Sequence, residues 1–390
     1  MTSHIMPTYA RQAVTFDRGE GAWLWDSNGK QYLDALAGIA VCNLGHAHPS
    51  VSRALCHQSQ TLIHTSNLYG VKLQAELADH LCRLSGMDNV FFCNSGAEAN
   101  EAAIKIARKY AHQQGIEAPV IITLEKSFHG RTMGSLSATG NSKVKQGFAP
   151  LLPGFVHVPY NDIEAILAAI RLDKNIVAIL VEPIQGEGGV NIPAADYLNQ
   201  IRAICDRHGL LMMLDEIQTG IGRTGRFLAY QHNDILPDVC TLAKALGNGV
   251  PIGACMARGK AAGILTAGNH GSTFGGSPLA CSAALAVLET LSSTDLIADA
   301  VRKGKRICDV LSQLLEGHPH IVSIRHLGLM IGIELDTPCT ELVGKALAKG
   351  LLINVTADST IRLLPPLVID DAQIELLTDT LSVLIKEHIH

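Results

Sequence analysis

The chain has 390 residues, 47% hydrophobic and 17% charged, with a formal net charge of −5; it is too long for one ordinary core and too apolar to be disordered, so two folded domains are expected. No basic block stands out, which argues against nucleic acid as a partner, and no apolar run approaches the roughly 18 residues a membrane helix needs. The ten cysteines are scattered without a C-x-x-C, and the N-terminal MTSHIMPTYARQ lacks a signal-peptide core, so a cytoplasmic protein with reduced thiols is expected.

Residues 1–48 carry short strand patterns at Ala22–Trp25 and Gln31–Tyr32 around the breaker Asp26–Gly29, which suits a small sheet. His46 and His48 stand two apart, but no third ligand follows at a metal-site spacing, and ordinary loop hydrogen bonds account for them. From about residue 88, apolar runs alternate with helical stretches. The strand patterns are Val90–Cys93, Val120–Leu124, Phe155–Val158, Val177–Val181, Leu210–Leu214, Val239–Leu242 and Ile252–Met256. They are near-continuously apolar, as in a parallel sheet covered on both faces. Ala103, Ile106, Ala107 and Tyr110 form one helical stripe between them. This predicts an α/β, doubly wound domain of about seven mostly parallel strands. Only Leu246–Val250 joins the last two strands, too short for a helical crossover, so that pair is expected to be antiparallel.

Past residue 285 the pattern changes. Helices over Ser282–Leu291 and Leu296–Leu315 precede strand patterns at Ile321–Arg325, Met330–Leu335, Leu351–Val355 and Ile361–Leu364, and a last helix starts at Asp371. The expected division is a large domain over 49–285 and a smaller α+β domain over 286–390, which the N-terminal segment 1–48 joins.

The stretch Pro237–Ala257 organises the chemistry. Lys244 is the only charge between Asp238 and Arg258. Burial there disfavours the ammonium form and leaves the neutral amine that Schiff-base chemistry with an aldehyde requires. At Cys93–Asn100 a strand gives way to a helix, and Ser95, Gly96 and the amides after them can bind an anion. Asp215 ends an apolar strand pattern, where a carboxylate can hold a proton on a heterocyclic nitrogen. Phe128 and Arg131, in Phe128-His129-Gly130-Arg131, offer a stacking face and a fork for a carboxylate. Glu182–Gly189, the hydroxyl-bearing loop Gly271–Gly276 and Arg362 complete the set. Each alone also fits a helix cap, a surface loop or a solvated charge; their shared placement after strands does not. Gly220–Gly225 fits G-x-G-x-x-G, but five residues separate it from the strand and no ribose-binding acid follows at the right distance, so a nicotinamide site is rejected.

In order, N-S-G-A-E-A-N, F-H-G-R, E-P-I-Q-G-E, D-E-I-Q-T-G, L-A-K, G-S-T-F-G-G and I-R-L-L-P-P resemble the class III, pyridoxal-phosphate-dependent aminotransferases of fold type I. The match spans essentially the whole chain. The resemblance implies pyridoxal 5'-phosphate as cofactor and Lys244 as the lysine that joins its aldehyde and later carries a proton. Asp215 would pair with the pyridinium nitrogen, Gln218 would lie near the phenolic oxygen, and Phe128 and Ile217 would cover the two ring faces. Ser95, Gly96 and Ala97 would hold the phosphate, with Thr273 from the second subunit of a homodimer.

Within that family the chain is most similar to the N-acetylornithine aminotransferases. Arg131 would then bind a substrate carboxylate, and Arg362 the α-carboxylate of glutamate, while Glu187 would pair with Arg362 when an amine without a carboxylate there is bound. Tyr9 and Ser272 would contact substrate. Ile39 stands where the ornithine branch has a tyrosine, which favours an acylated amine. Succinylornithine, N-succinyl-diaminopimelate, ornithine and 4-aminobutyrate remain open as alternative amines.

Overall fold

The computed structural model describes residues 4–388. Its chain opens with β1 (Phe16–Glu20), β2 (Trp23–Asp26) and β3 (Gln31–Asp34). The central elements are β4 (Asn89–Cys93), β5 (Val120–Leu124), β6 (Phe155–Val158), β7 (Ile176–Val181), β8 (Leu211–Asp215), β9 (Val239–Leu242) and β10 (Gly253–Ala257). These seven form one sheet in the order β4-β10-β9-β8-β7-β5-β6. β10 runs antiparallel to both its neighbours, and the other pairings are parallel. The short Lys244–Val250 connection imposes that reversal, as expected.

Apolar continuity in these strands reflects burial on both faces. Ile121, Leu180, Met213 and Cys255 point into a core under the helix Gly96–Gln113, with Ala103, Ile106 and Ala107. Their alternates Ile122, Ile179, Leu214, Cys240 and Met256 enter the larger core on the other side. All ten cysteines are free thiols, and seven are buried. Among the described residues no single helix is long and apolar enough to cross a membrane.

The C-terminal strands are β11 (Ile321–Leu327), β12 (Met330–Leu335), β13 (Leu351–Leu352), β14 (Asn354–Thr356) and β15 (Thr360–Leu363). The single strand expected at Leu351–Val355 is two. β13 pairs parallel with β3 and completes the N-terminal sheet, whereas β14 pairs antiparallel with β15 in a sheet ordered β11-β12-β15-β14. Between them Ile353 is buried, so an unbroken apolar run hides a change of sheet.

After β3 the chain makes a left-handed turn. Ala37, Gly38, Ile39 and Ala40 all have positive φ, between 49° and 68°, a basin costly to L-residues. Asp34 offsets part of that cost: its Oδ1 accepts from the amides of Leu36 and Ala37, both at 2.9 Å. Its Oδ2 lies 2.7 Å from His46 Nε2. Burial works against a charge on His46, but Asp34 and the Cys42 thiol outweigh it and raise the imidazole to about 9. The turn delivers Val41 to the wall of the main cavity.

Candidate active site

The C-terminal ends of β4, β5, β7, β8 and β9 and the start of β10 share one edge of the sheet, and a cavity of about 380 Å³ opens there. Ser95, Gly96, Ala97, Phe128, Arg131, Glu187, Asp215, Ile217, Gln218 and Lys244 line it.

Lys244 follows β9 in a tight turn with φ of 46°, a left-handed conformation that aims its side chain off the strand axis. Burial lowers its ammonium to about 8, against the pull of Glu187. Among the described residues Nζ makes no hydrogen bond or ion pair, so it is available to a ligand in the cavity.

Asp215 is fixed from three sides. Its Oδ2 accepts from Asn100 Nδ2 and from His129 Nδ1, both at 2.8 Å, and its Oδ1 from the Ile217 amide at 3.1 Å. Asn100 also donates to the His129 carbonyl, and its oxygen accepts from Thr241 at 2.8 Å. An ionised carboxylate only accepts, so His129 carries its hydrogen on Nδ1; its Nε2 is buried without a partner. Glu182 lies nearby and accepts from the amides of Phe128 and Gly186. Burial, and then the charge of Asp215, hold its carboxyl well above the usual range.

Ser95 caps the helix Gly96–Gln113, its Oγ accepting from the Glu98 amide at 3.2 Å. Glu98 reaches back to the Asn94 amide at 2.6 Å, which fixes the first turn and leaves early amides directed at the cavity. A side chain on Gly96 would meet Ile217 at 2.6 Å, so the backbone can approach a ligand only as glycine. A helix N-terminus for an anion, and in the same cavity a clamped carboxylate and a depressed lysine, fit a flat heterocycle that carries a phosphate and an aldehyde.

Arg362, 1% exposed, donates from Nη1 to Glu187 Oε1 at 2.7 Å and to Gln218 Oε1 at 3.3 Å. Its Nε and Nη2 both donate to Asn354 Oδ1, at 3.2 and 2.7 Å. Burial alone would raise Glu187, but Arg362 outweighs it and holds the carboxylate below its usual range. Arg362 itself is behind this wall rather than in the cavity lining.

Besides Arg362, three expected residues are not brought to the cavity. Tyr9 is 74% exposed in the N-terminal segment, with Arg11 over its ring. Ser272 bonds Asn94 at 3.1 Å just outside the lining, and Thr273 faces a narrow crevice against residues 64–67. Gly220–Gly225 does not open a helix; Gly222 and Gly225 pack against Ile297 and Val301. Between them Arg223, fully buried, donates to the carbonyls of Leu329 and Pro365 and to Asn43 Oδ1. His129 and Asn100 stand inside the motifs but were assigned no role by sequence alone, and Asn354 carries no sequence signal at all.

A family model described as class-III aminotransferase matches residues 5–385. The acetylornithine aminotransferase of Nitrosomonas europaea is 55% identical over 383 residues, which is 98% of each chain. Among solved structures, an ornithine aminotransferase from Toxoplasma gondii, reported with partial occupancy of PLP at its active site, is similar with a TM-score of 0.94 and 38% identity, covering 98% of this chain and 91% of that one. The N-acetylornithine aminotransferase from Stenotrophomonas maltophilia K279a gives a TM-score of 0.86 at 36% identity, with 98% of both chains covered. With the clamped aspartate, the depressed lysine and the glycine-lined helix N-terminus already in place, these likenesses agree on one assignment: the chain belongs to the class III aminotransferases.

Proposed function

We propose that this chain transfers the terminal amino group of N2-acetylornithine to 2-oxoglutarate, giving N-acetylglutamate 5-semialdehyde and glutamate, and that in arginine biosynthesis it runs in the reverse direction. The observation that carries the chemistry is that Lys244 and Asp215 line one cavity. The amine follows from the acetylornithine relatives, at 55% identity and almost full length.

Bound pyridoxal phosphate supplies an electron sink for the carbon that carries the amine. Ser95, Gly96 and Ala97 would hold its phosphate, Phe128 and Ile217 would cover its ring, and Gln218 would serve the phenolic oxygen. Asp215, held by Asn100 and His129, would pair with the protonated ring nitrogen. Lys244 Nζ would be the amine that holds the cofactor's aldehyde and, once free, the base that takes a proton from the substrate carbon and returns it to the acceptor carbon. Arg131 takes a substrate carboxylate. Arg362 is held by Glu187 for the amine and by the substrate's own carboxylate for glutamate, so one buried cation serves two unlike substrates.

Thr273 lies away from its own cavity, which supports a homodimer in which each copy contributes this residue to the other's phosphate site. The pairing of β3 with β13 supports an N-terminal segment that belongs with residues 286–390 rather than with the large domain over 49–285. A cytoplasmic location completes the reading.

Addition of N2-acetylornithine to cofactor-loaded protein, with ornithine and 4-aminobutyrate in parallel, tests the assignment through the visible cofactor band. Acetylornithine should convert the band at far lower concentration than either control. Conversion by another amine first would replace the substrate; no cofactor band at all would remove the activity.

A further inference from the structure

We propose that Asn354 keeps Arg362 in place as an unneutralised cation, and that this neutral clamp is what lets one arginine accept the carboxylate of glutamate. The inference rests on the transaminase reading above. Asn354 and Arg362 are direct cross-strand partners on β14 and β15, so the backbone register fixes the contact. A guanidinium has donors only, which places the amide oxygen, not the nitrogen, against it. That oxygen receives Nε and Nη2 together and leaves Nη1 to Glu187 and Gln218.

Of the three acceptors, only Glu187 is charged. Its side chain is 31% exposed, whereas Arg362 is 1% exposed, so it has room to move off the arginine. When Glu187 withdraws, Arg362 keeps two neutral acceptors, so it stays aimed and its charge is uncompensated. A buried cation in that state favours an incoming carboxylate strongly. An acidic residue at 354 would cancel the charge permanently from a fixed strand. Substrate carboxylate would then meet a paired arginine with Glu187 still beside it, and like charges so placed repel.

The test compares N354D and N354A holoenzymes with the parent chain. The half-reactions with N2-acetylornithine and with glutamate are followed separately by the cofactor spectrum, and binding of glutarate, an unreactive dicarboxylate, is measured by calorimetry. For N354D, the ratio of the glutamate rate constant to the acetylornithine rate constant should fall at least about thirtyfold, with a similar loss in glutarate affinity. N354A keeps the charge and loses only the aim, so the same ratio should fall about three- to tenfold. Equal losses in both half-reactions, or glutarate binding unchanged in N354D, would reduce Asn354 to a strut and overturn the inference. If N354D does not fold, an unchanged ratio in N354A does the same. A parent enzyme that fails to react with glutamate would overturn the transaminase reading, and this inference with it.

Discussion

Lys244 shows how much a single residue can disclose. Its isolation between two apolar strands made a depressed ammonium the expectation, and burial does lower it, to about 8. Deprotonation is then complete well below the pH at which an ordinary lysine, near 10.4, gives up its proton. In cofactor-free protein, modification of Lys244 by a small acylating reagent should rise through about pH 8, and peptide mapping would separate it from surface lysines. The linkage has a definite sign. Between about 8 and 10.5 the unfolded chain binds this proton and the folded one does not, so this residue's contribution to stability rises with pH across that window. Lys244→Ala should lower turnover at least about a thousandfold, as loss of a proton-transfer group does, while circular dichroism stays that of the parent. Asp215 was equally legible, because a carboxylate ending a parallel strand faces the crevice. Its clamp was not: Asn100 comes from a helix, His129 from a loop and Thr241 from β9, and only the fold brings them together.

At the scale of elements, composition told most of the story. The seven central strands were readable because burial on both faces demands unbroken apolar runs. The split of Leu351–Val355 was hidden for the same reason, since either half of such a run can join either sheet. Two elements carry clear expectations. Gly96→Ala would drive a methyl group into Ile217, so cofactor affinity should weaken at least about tenfold by equilibrium dialysis, with little change in melting, since the approach of backbone to ligand is what glycine permits. Arg223 anchors the segment that imitates a dinucleotide motif. Burial lowers its guanidinium to about 9, yet it satisfies three oxygens on three separate segments. Arg223→Lys reaches fewer of them and should cost about 1–3 kcal/mol in urea unfolding.

At the scale of the whole molecule, an apolar face is exposed among the described residues. Leu68 is 86% exposed, Tyr69 71% and Phe274 65%. Their segments are tied together, because Asn67 donates to the carbonyls of Ser272 and Gly275, both at 3.0 Å, and Phe274 rests on His64. Clustered exposure of this kind suits the second subunit proposed above, and it surrounds Thr273. A Leu68→Glu, Phe274→Glu double variant should sediment as a monomer and lose cofactor at the same time. A monomer that holds the cofactor as tightly as the parent would separate the two properties and detach Thr273 from the phosphate. No stretch of sequence could have shown this, since an exposed leucine and a buried one are spelled alike.

The turn at Ala37–Ala40 has a consequence for synthesis. Four successive residues there occupy the mirror image of the usual helical basin, and for three of them, all but Gly38, natural stereochemistry opposes the shape by on the order of 1 kcal/mol each. In the inverted hand the same torsions are the comfortable ones. A chain ligated near its N-terminus with D-alanine at 40 would lie closer to its backbone's own preference than the gene-encoded one.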